Sequence, residues 1–253
     1  MKTLLLTSLM GLALFGASFT YADHSNVRVH FVSPGFEQGG FWQTVSDSMR
    51  ASADQLGMDV TVSHSDREWP LMRDNAQRAI ADADDLDYLI LVNEHQQAAD
   101  LVAQSDAAGI KTFLLLNTLM PEQEEEVGTP RADLPHWLGS LTPDNHLAGR
   151  EMAESILTQG RSLKPEKDTL DLLTLAGDFV TPASLFRLAG LDEVLAQNPE
   201  INEQRRLTVN WSREEADRPV DAWLQAGGSF DLIWAANDPI ALGAMDAAER
   251  HGL

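Results

Sequence analysis

Apolar residues along the chain fall into eight short runs, and the segments between them have helical spacing. The runs are "VRVHFVS" (27–33), "DVTVSHS" (59–65), "DYLILVN" (87–93), "KTFLLLN" (111–117), "HWLGSL" (136–141), "LDLLTLAG" (170–177), "RLTVNW" (206–211) and "DLIWAAN" (231–237). Several of these runs are almost continuously apolar, which is typical of strands covered on both faces. The pattern therefore predicts eight buried strands.

The intervening segments carry apolar residues at spacings of three and four, which predict amphipathic helices. One such stripe runs from Trp42 to Leu56 and is followed by Gly57, a typical helix stop. A leucine repeat between 185 and 195 has the same spacing. Because strands and helices alternate throughout, we expect an α/β protein with parallel sheets and helices on both faces.

The pattern divides into two halves. Four strand units fill residues 27–117, and an irregular acidic stretch at 118–135 separates them from four more units that begin at His136. This arrangement predicts two doubly wound lobes, at 23–117 and 136–253, joined by a crossover at 118–135. The acidic run within that crossover is interpreted as a solvated loop or a short helix.

The first 22 residues have the layout of a secretory signal. Lys2 precedes an apolar core from Leu4 to Phe19, and Thr20-Tyr21-Ala22 offers a signal peptidase the small residues that it needs. The apolar stretch is short for a membrane anchor, and no cationic flank follows it. We therefore expect residues 1–22 to be cleaved and the product to be exported, most simply to a bacterial periplasm.

Composition narrows the possible partners. The chain has 39 acidic and 18 basic residues, a formal net charge of −21, and no cysteine. An acidic surface repels phosphate backbones and anionic lipid head groups, so we expect neither a nucleic-acid partner nor an embedded membrane domain. Without cysteine there is no disulfide framework and no thiol for lipid attachment.

Candidate ligand residues follow the predicted strands, because ligands of open parallel sheets bind outside the carboxyl ends of the strands. In the first half these are Phe41 and Trp42 after the first strand, Asp66 and Trp69 after the second, and Asn117 after the fourth. An aromatic pair can cover the apolar face of a sugar ring. Two alternatives stay open: Trp42 also fits the core stripe of its helix, and Asp66 could cap the next helix.

In the second half the candidates are Arg187, Asn210 and Asp238. Asp238 could accept hydrogen bonds from two adjacent hydroxyls, and Arg187 could reach into a cleft or pair with a local carboxylate. Aromatic rings beside strand-tip amides and acids favour a neutral, hydroxyl-rich ligand, a sugar or a polyol. Arg67 and Arg187 leave room for a carboxylate or phosphate group.

Enzymatic signatures are missing from the sequence. There is no G-x-S-x-G elbow, no H-E-x-x-H and no cysteine nucleophile, and the seven histidines show no close metal-ligand spacing. We therefore expect a binding protein with no catalytic residues, no metal and no cofactor.

Several motifs, in this order, carry a family resemblance: "FLLLN", "GSLTPDNHLAGREMAESIL", "PASLFRLAGLDEVL" and "AANDPIALGAMDAA". Across residues 27–253 the chain resembles the type I periplasmic substrate-binding proteins, the ribose and galactose receptor group related to LacI-type repressors. The repressors begin with a DNA-binding helix-turn-helix, whereas this chain begins with an export signal. The resemblance therefore favours a receptor.

The resemblance implies a clamshell that traps a small polar ligand between two lobes and hands it to an ABC permease. The alternative is a sensory subunit that reports ligand state to a membrane kinase or a diguanylate cyclase. Carried onto this chain, the family's aromatic contact falls at Phe41 or Trp42, its acidic hydroxyl acceptor at Asp238 and its arginine at Arg187. Asn117 departs from the aspartate of sugar receptors. Further strands are expected to follow the last helix, so we expect the first lobe to be incomplete and the C-terminal part truncated.

Overall fold

A computed structural model describes residues 27–253, and the predicted signal peptide lies outside this range. Eight strands alternate with eight helices, as the apolar pattern predicts. The strands are β1 (Val27–Ser33), β2 (Met58–His64), β3 (Tyr88–Leu91), β4 (Lys111–Leu115), β5 (Trp137–Leu141), β6 (Leu170–Ala176), β7 (Ile201–Thr208) and β8 (Leu232–Ala235). The helices are α1 (Gly40–Leu56), α2 (Trp69–Ala81), α3 (Ala99–Ala107), α4 (Pro121–Val127), α5 (Asn145–Leu163), α6 (Pro182–Gln197), α7 (Arg213–Gln225) and α8 (Asp238–Arg250).

The strands form two parallel sheets. The first has the order β2-β1-β3-β4-β5 and the second has the order β7-β6-β8. The first lobe consists of residues 27–141 and the second lobe of residues 144–253. Within the part of the chain that the structure describes, the backbone passes between the lobes once, through Thr142 and Pro143.

The predicted boundary between the lobes is wrong. The run 136–141 was expected to open the second lobe, but it forms β5 and pairs with β4 in the first sheet, with Trp137 opposite Thr112. Trp137 is buried in the first core, and burial of its indole stabilises this placement. The stretch 118–135 is not a crossover either. It contains α4, which packs on α3 within the first lobe, so the second lobe has three strands rather than four.

Each lobe has its own apolar core. In the first, Leu89, Leu114 and Trp137 are among the fully buried side chains, and in the second Leu173, Leu191 and Trp234 are. The predicted stripe of α1 ends where expected, at Gly57 in the left-handed conformation (φ 66°). No helix within residues 27–253 is long and apolar enough to cross a membrane.

In the second lobe, α5 and α6 approach each other closely because glycine lies at their crossing. A Cβ added at Gly149 would lie against the carbonyl oxygen of Arg187, and one added at Gly190 against the carbonyl oxygen of His146. The close approach brings Arg187, in the second turn of α6, beside the first turn of α5. These two turns carry the polar residues described next.

Candidate functional site

The carboxyl ends of the two sheets meet at one junction between the lobes. The Gln96 side chain, after β3, donates a hydrogen bond to the Val180 carbonyl at 2.9 Å. The Asn117 side-chain oxygen, after β4, accepts one from the Ala183 backbone N–H, also at 2.9 Å. Both bonds join the first lobe to the loop and first turn that lead into α6.

A cavity of about 250 Å³ lies at this junction. The tip of β4, the connection between the lobes and the start of α6 line it, with Asn117, Thr142, Asn145 and Phe186 among its residues. Drug-sized ligands occupy pockets of roughly 300–1,000 Å³. The cavity therefore suits a smaller molecule.

Arg187 is bonded to Asn145, one of the residues that line this cavity, and it forms no ion pair within residues 27–253. Its Nε donates to the Asn145 side-chain oxygen at 3.0 Å and its Nη1 to the Ala236 carbonyl at 2.6 Å. Its guanidinium lies 5.8 Å from the ring centre of Trp211. Partial burial lowers the pKa of Arg187.

Asp178 fixes the indole beside that arginine. The Trp211 N–H donates to the Asp178 carboxylate at 2.8 Å, and the Val180 and Thr181 backbone N–H groups donate to the same side chain. Burial opposes ionisation of Asp178, but these bonds and one from the Thr181 hydroxyl hold its pKa below the ordinary value. Trp211 also packs on Gly177, where an added Cβ would meet the indole.

Arg67 and Glu94 form a buried ion pair at the tips of β2 and β3. The Arg67 Nη1 lies 3.0 Å from the Glu94 carboxylate, and the two side chains are 17% and 8% exposed. Burial raises the pKa of Glu94, Arg67 opposes that shift, and the nearby charge of Asp178 adds to it. The guanidinium of Arg67 is therefore paired with a carboxylate of its own lobe.

The aromatic candidates of the first lobe have different settings. Phe41 and Trp69 are 59% and 47% exposed, although both are large apolar side chains. Trp42 is half-buried, packs against the backbone of Gly35 and lies 6.3 Å from the ring of Phe31. This packing favours the helix-core alternative for Trp42 and leaves Phe41 and Trp69 as open aromatic faces.

The remaining candidates lie at the strand tips as expected. Asp66 and Asn210 are exposed and have left-handed backbones, with φ of 49° and 42°. Asp66 makes no capping bond to α2, which begins at Trp69. After the last strand, the Asn237 side chain caps α8 by accepting a hydrogen bond from the Ile240 N–H at 3.0 Å. The next side chain, Asp238, is exposed.

Sequence reasoning missed three residues that the structure places around Arg187: Asn145, Asp178 and Trp211. Asn145 and Asp178 follow predicted strands and Trp211 ends one, so position alone could have suggested all three. Their hydrogen bonds join separate segments of the second lobe and leave no mark in local sequence spacing. Within residues 27–253, no three His, Asp or Glu side chains come together as metal ligands.

A protein-family comparison matches residues 29–253 to the periplasmic binding protein domain. The chain belongs to this family of periplasmic binding proteins. The predicted resemblance and the α/β fold of parallel sheets are confirmed. A D-apiose import binding protein of Actinobacillus succinogenes is 25% identical over 98% of the chain and 73% of its own length. A xylitol-binding protein of Mycolicibacterium smegmatis is 30% identical over 44% of the chain and 33% of its own length.

Several solved structures share the fold of this periplasmic binding protein. A periplasmic sugar-binding protein from Pseudomonas fluorescens superposes with a TM-score of 0.78 at 32% identity, covering 89% of this chain and 65% of its own. A galactofuranose binding protein superposes with a TM-score of 0.75 at 17% identity, covering 90% of this chain and 72% of its own. The chain thus spans about two thirds to three quarters of the length of these proteins.

Proposed function

We propose that this periplasmic binding protein captures a small, uncharged, hydroxyl-rich molecule, a sugar or a polyol, between its lobes for import through an ABC permease. The observation that carries the proposal is Arg187, a partly buried guanidinium beside the cavity whose hydrogen bonds go only to neutral acceptors. Its remaining donors can bind a ring oxygen or a hydroxyl. The D-apiose and xylitol proteins support the ligand class, and the former's name supports import.

The charges at the junction favour a neutral ligand. Glu94 neutralises Arg67, and the Asp178 carboxylate lies close to the indole that Arg187 covers. A carboxylate or phosphate ligand would face the charge of Asp178 as well as that of Arg187, and the Arg67–Glu94 pair adds no net charge to offset it. The exposed rings of Phe41 and Trp69 offer stacking surfaces for the apolar face of a sugar.

A ligand screen tests the proposal directly. The protein would be titrated with D-apiose, D-ribose, xylitol and myo-inositol, and with D-ribonate as the anionic counterpart of ribose. A neutral ligand at a hundred-fold excess over its Kd should stabilise the fold by about 2.7 kcal/mol through mass action. Calorimetry would then measure the Kd. Binding of D-ribonate alone would contradict the neutral class, and binding of none of the five would contradict the ligand class.

Export belongs to the same proposal. The family supports a periplasmic location, and the layout of residues 1–22 supports a cleaved signal. Expression with the native N-terminus, fractionation of the cells and N-terminal sequencing would test both, with Asp23 expected as the first residue of the mature protein. A chain that retains Met1 and stays in the cytoplasm would contradict export.

A further inference from the structure

We infer that Gln96 and Asn117 form an amide clasp that holds the lobes together before ligand arrives and so sets the open–closed equilibrium of the site. The inference rests on the proposed function in one respect: the cavity at the lobe junction is taken to be the ligand site that opens and closes. Both side chains belong to the first lobe, and both partners, Val180 and Ala183, belong to the second. Two observations support the inference: the second lobe has no side-chain cap of its own for α6, and the first lobe holds both amides in fixed positions.

The second lobe lacks a cap for α6. Thr181, the residue at the cap position, makes no side-chain bond to the helix, and its hydroxyl donates to Asp178 instead. The Ala183 N–H, in the first turn, is satisfied by Asn117 from the other lobe. A side-chain oxygen that accepts from the first turn of a helix is a cap in the ordinary sense. Here the cap comes from across the junction, so helix capping and lobe contact are the same interaction.

The first lobe presents Gln96 in a fixed position. His95 and Gln96 both have left-handed backbones, with φ of 48° and 58°, a conformation that costs free energy for residues with side chains. The Gln123 side chain donates to the Gln96 carbonyl at 2.8 Å and accepts from the Asn93 amide at 2.7 Å. This amide network fixes the backbone of the turn from which the Gln96 side chain reaches Val180.

Asn117 is held equally firmly. It is 5% exposed, and its backbone carbonyl accepts from the Asn93 N–H at 3.2 Å. Because the Asn117 side chain is buried and bonded to the opposite lobe, it has little freedom to adopt another position while the lobes are in contact. Its side-chain oxygen is therefore occupied by the Ala183 N–H in the structure.

The clasp is made of uncharged groups only. Opening the lobes exchanges each bond for water, and the loss of one helix cap changes an equilibrium by about five-fold. A ligand that binds the closed state then meets a larger competent population and binds more tightly.

Distance measurements on the ligand-free protein test the clasp. The sequence has no cysteine, so Ala51→Cys in α1 and Ala222→Cys in α7 give one spin-label pair across the lobes at exposed positions. Asn117→Ala and Gln96→Ala should each move the distance distribution towards longer values by about a five-fold change in the open-to-closed ratio. The double variant should move it further. Asn117→Asp keeps an acceptor oxygen and should retain the short distance.

Gln97→Ala is the matched control, because its side chain bonds only to the His95 carbonyl within the first lobe. It should leave the distances unchanged. An unchanged distribution in the double variant would overturn the inference, and so would an Asn117→Asp variant that opens like Asn117→Ala. If Asn117→Ala fails to fold, Gln96→Ala decides alone. Since no ligand is added, failure here leaves the proposed function standing, and failure of the ligand screen leaves the clasp standing.

Discussion

Arg187 has the setting of a ligand-binding residue rather than of a structural ion pair. A guanidinium that only built the fold would gain most from a carboxylate, yet its partners are an amide oxygen and a backbone carbonyl. Hydrogen bonds to charged groups contribute about 1.5–3 kcal/mol. The Asn145 bond and the Trp211 ring fix the direction in which the remaining donors point.

We expect Arg187→Met to weaken binding of the tightest sugar in the screen by about ten-fold to a hundred-fold, because one charge-assisted bond is lost. Calorimetry would measure the change. Arg218→Met is the control, since Arg218 lies on the outer surface of α7 with its side chain 68% exposed. Equal affinity in the two variants would assign Arg187 a structural role.

Substitutions at two adjacent residues at the start of α8 should have different effects, one on stability and the other on sugar binding. Asn237→Ala removes a helix cap and should lower the free energy of unfolding by about 1 kcal/mol. Asp238→Ala should leave unfolding unchanged within about 0.5 kcal/mol, as expected for an exposed side chain, and should weaken sugar binding several-fold. Urea unfolding and calorimetry on both variants check the pair. A loss of stability with unchanged affinity in Asp238→Ala would contradict the ligand role.

How far residues could be predicted depended on where their partners lie. Arg187 and Asp238 are candidates from the sequence because their positions after strands and their residue types are visible locally, and their ligand role stays a prediction. The role of Asn117 could not, because its partner is a backbone N–H 66 residues away in the other lobe. Trp211 was missed for the same reason, since Asp178 and Arg187 become its neighbours only in the folded sheet.

At the scale of elements, the crossing of α5 and α6 positions the arginine. Gly149 packs on the backbone of Arg187 itself, so the distance between the two helices determines where the guanidinium lies. The sequence predicted both helices from their apolar stripes. It could not predict the crossing, because a glycine inside a helix looks like a weak helix former until its neighbour is known.

Gly190→Ala should separate these helices. The added Cβ meets backbone atoms that cannot rotate away, and overpacking of this kind costs about 1–3 kcal/mol. We expect a lower free energy of unfolding in urea together with weaker sugar binding as Arg187 shifts. Gln197→Ala, at the exposed C-terminal end of the same helix, should change neither by a comparable amount. Unchanged stability in Gly190→Ala would show that the helices can move apart freely.

The misplaced strand β5 shows what strand patterns leave open. Its apolar run correctly predicted a strand, but the pattern carries no information on which sheet will accept it. Trp137 decides the placement, since its indole fills the first core opposite β4. The acidic helix that precedes it suggested a linker because a solvated surface and a linker have the same composition.

For the whole molecule, stability should fall in acid partly through Asp231. This side chain is 3% exposed, accepts from Lys164 at 2.5 Å, Lys167 at 2.6 Å and the Asp171 N–H at 2.9 Å, and has its pKa lowered to about 2. A depressed pKa means that the contribution is complete above the ordinary value near 3.8 and is lost as the pH falls towards 2. The ionised Asp231 side chain, just before β8, is bonded to the Asp171 N–H in β6 and so ties the two strands together.

Asp231→Asn should therefore lower the free energy of unfolding by about 1–2 kcal/mol at pH 7, and its difference from the native protein should shrink as the pH falls from 4 to 2. Urea unfolding at pH 7, 5 and 3 would measure it. Asp168→Asn is the control: this side chain is exposed, and the substitution should leave the free energy of unfolding at pH 7 unchanged within about 0.5 kcal/mol. A constant difference for Asp231→Asn at all three pH values would mean that the ion pairs contribute nothing.

The surroundings of Trp211 suggest that its intrinsic fluorescence can report ligand binding. A carboxylate bonded to its N–H and a cation over its face both shift the energy of the excited ring, and a sugar that engages Arg187 would alter the second of these. Emission from this tryptophan should therefore change as the cleft fills. Occupancy could then be followed in real time without any attached dye.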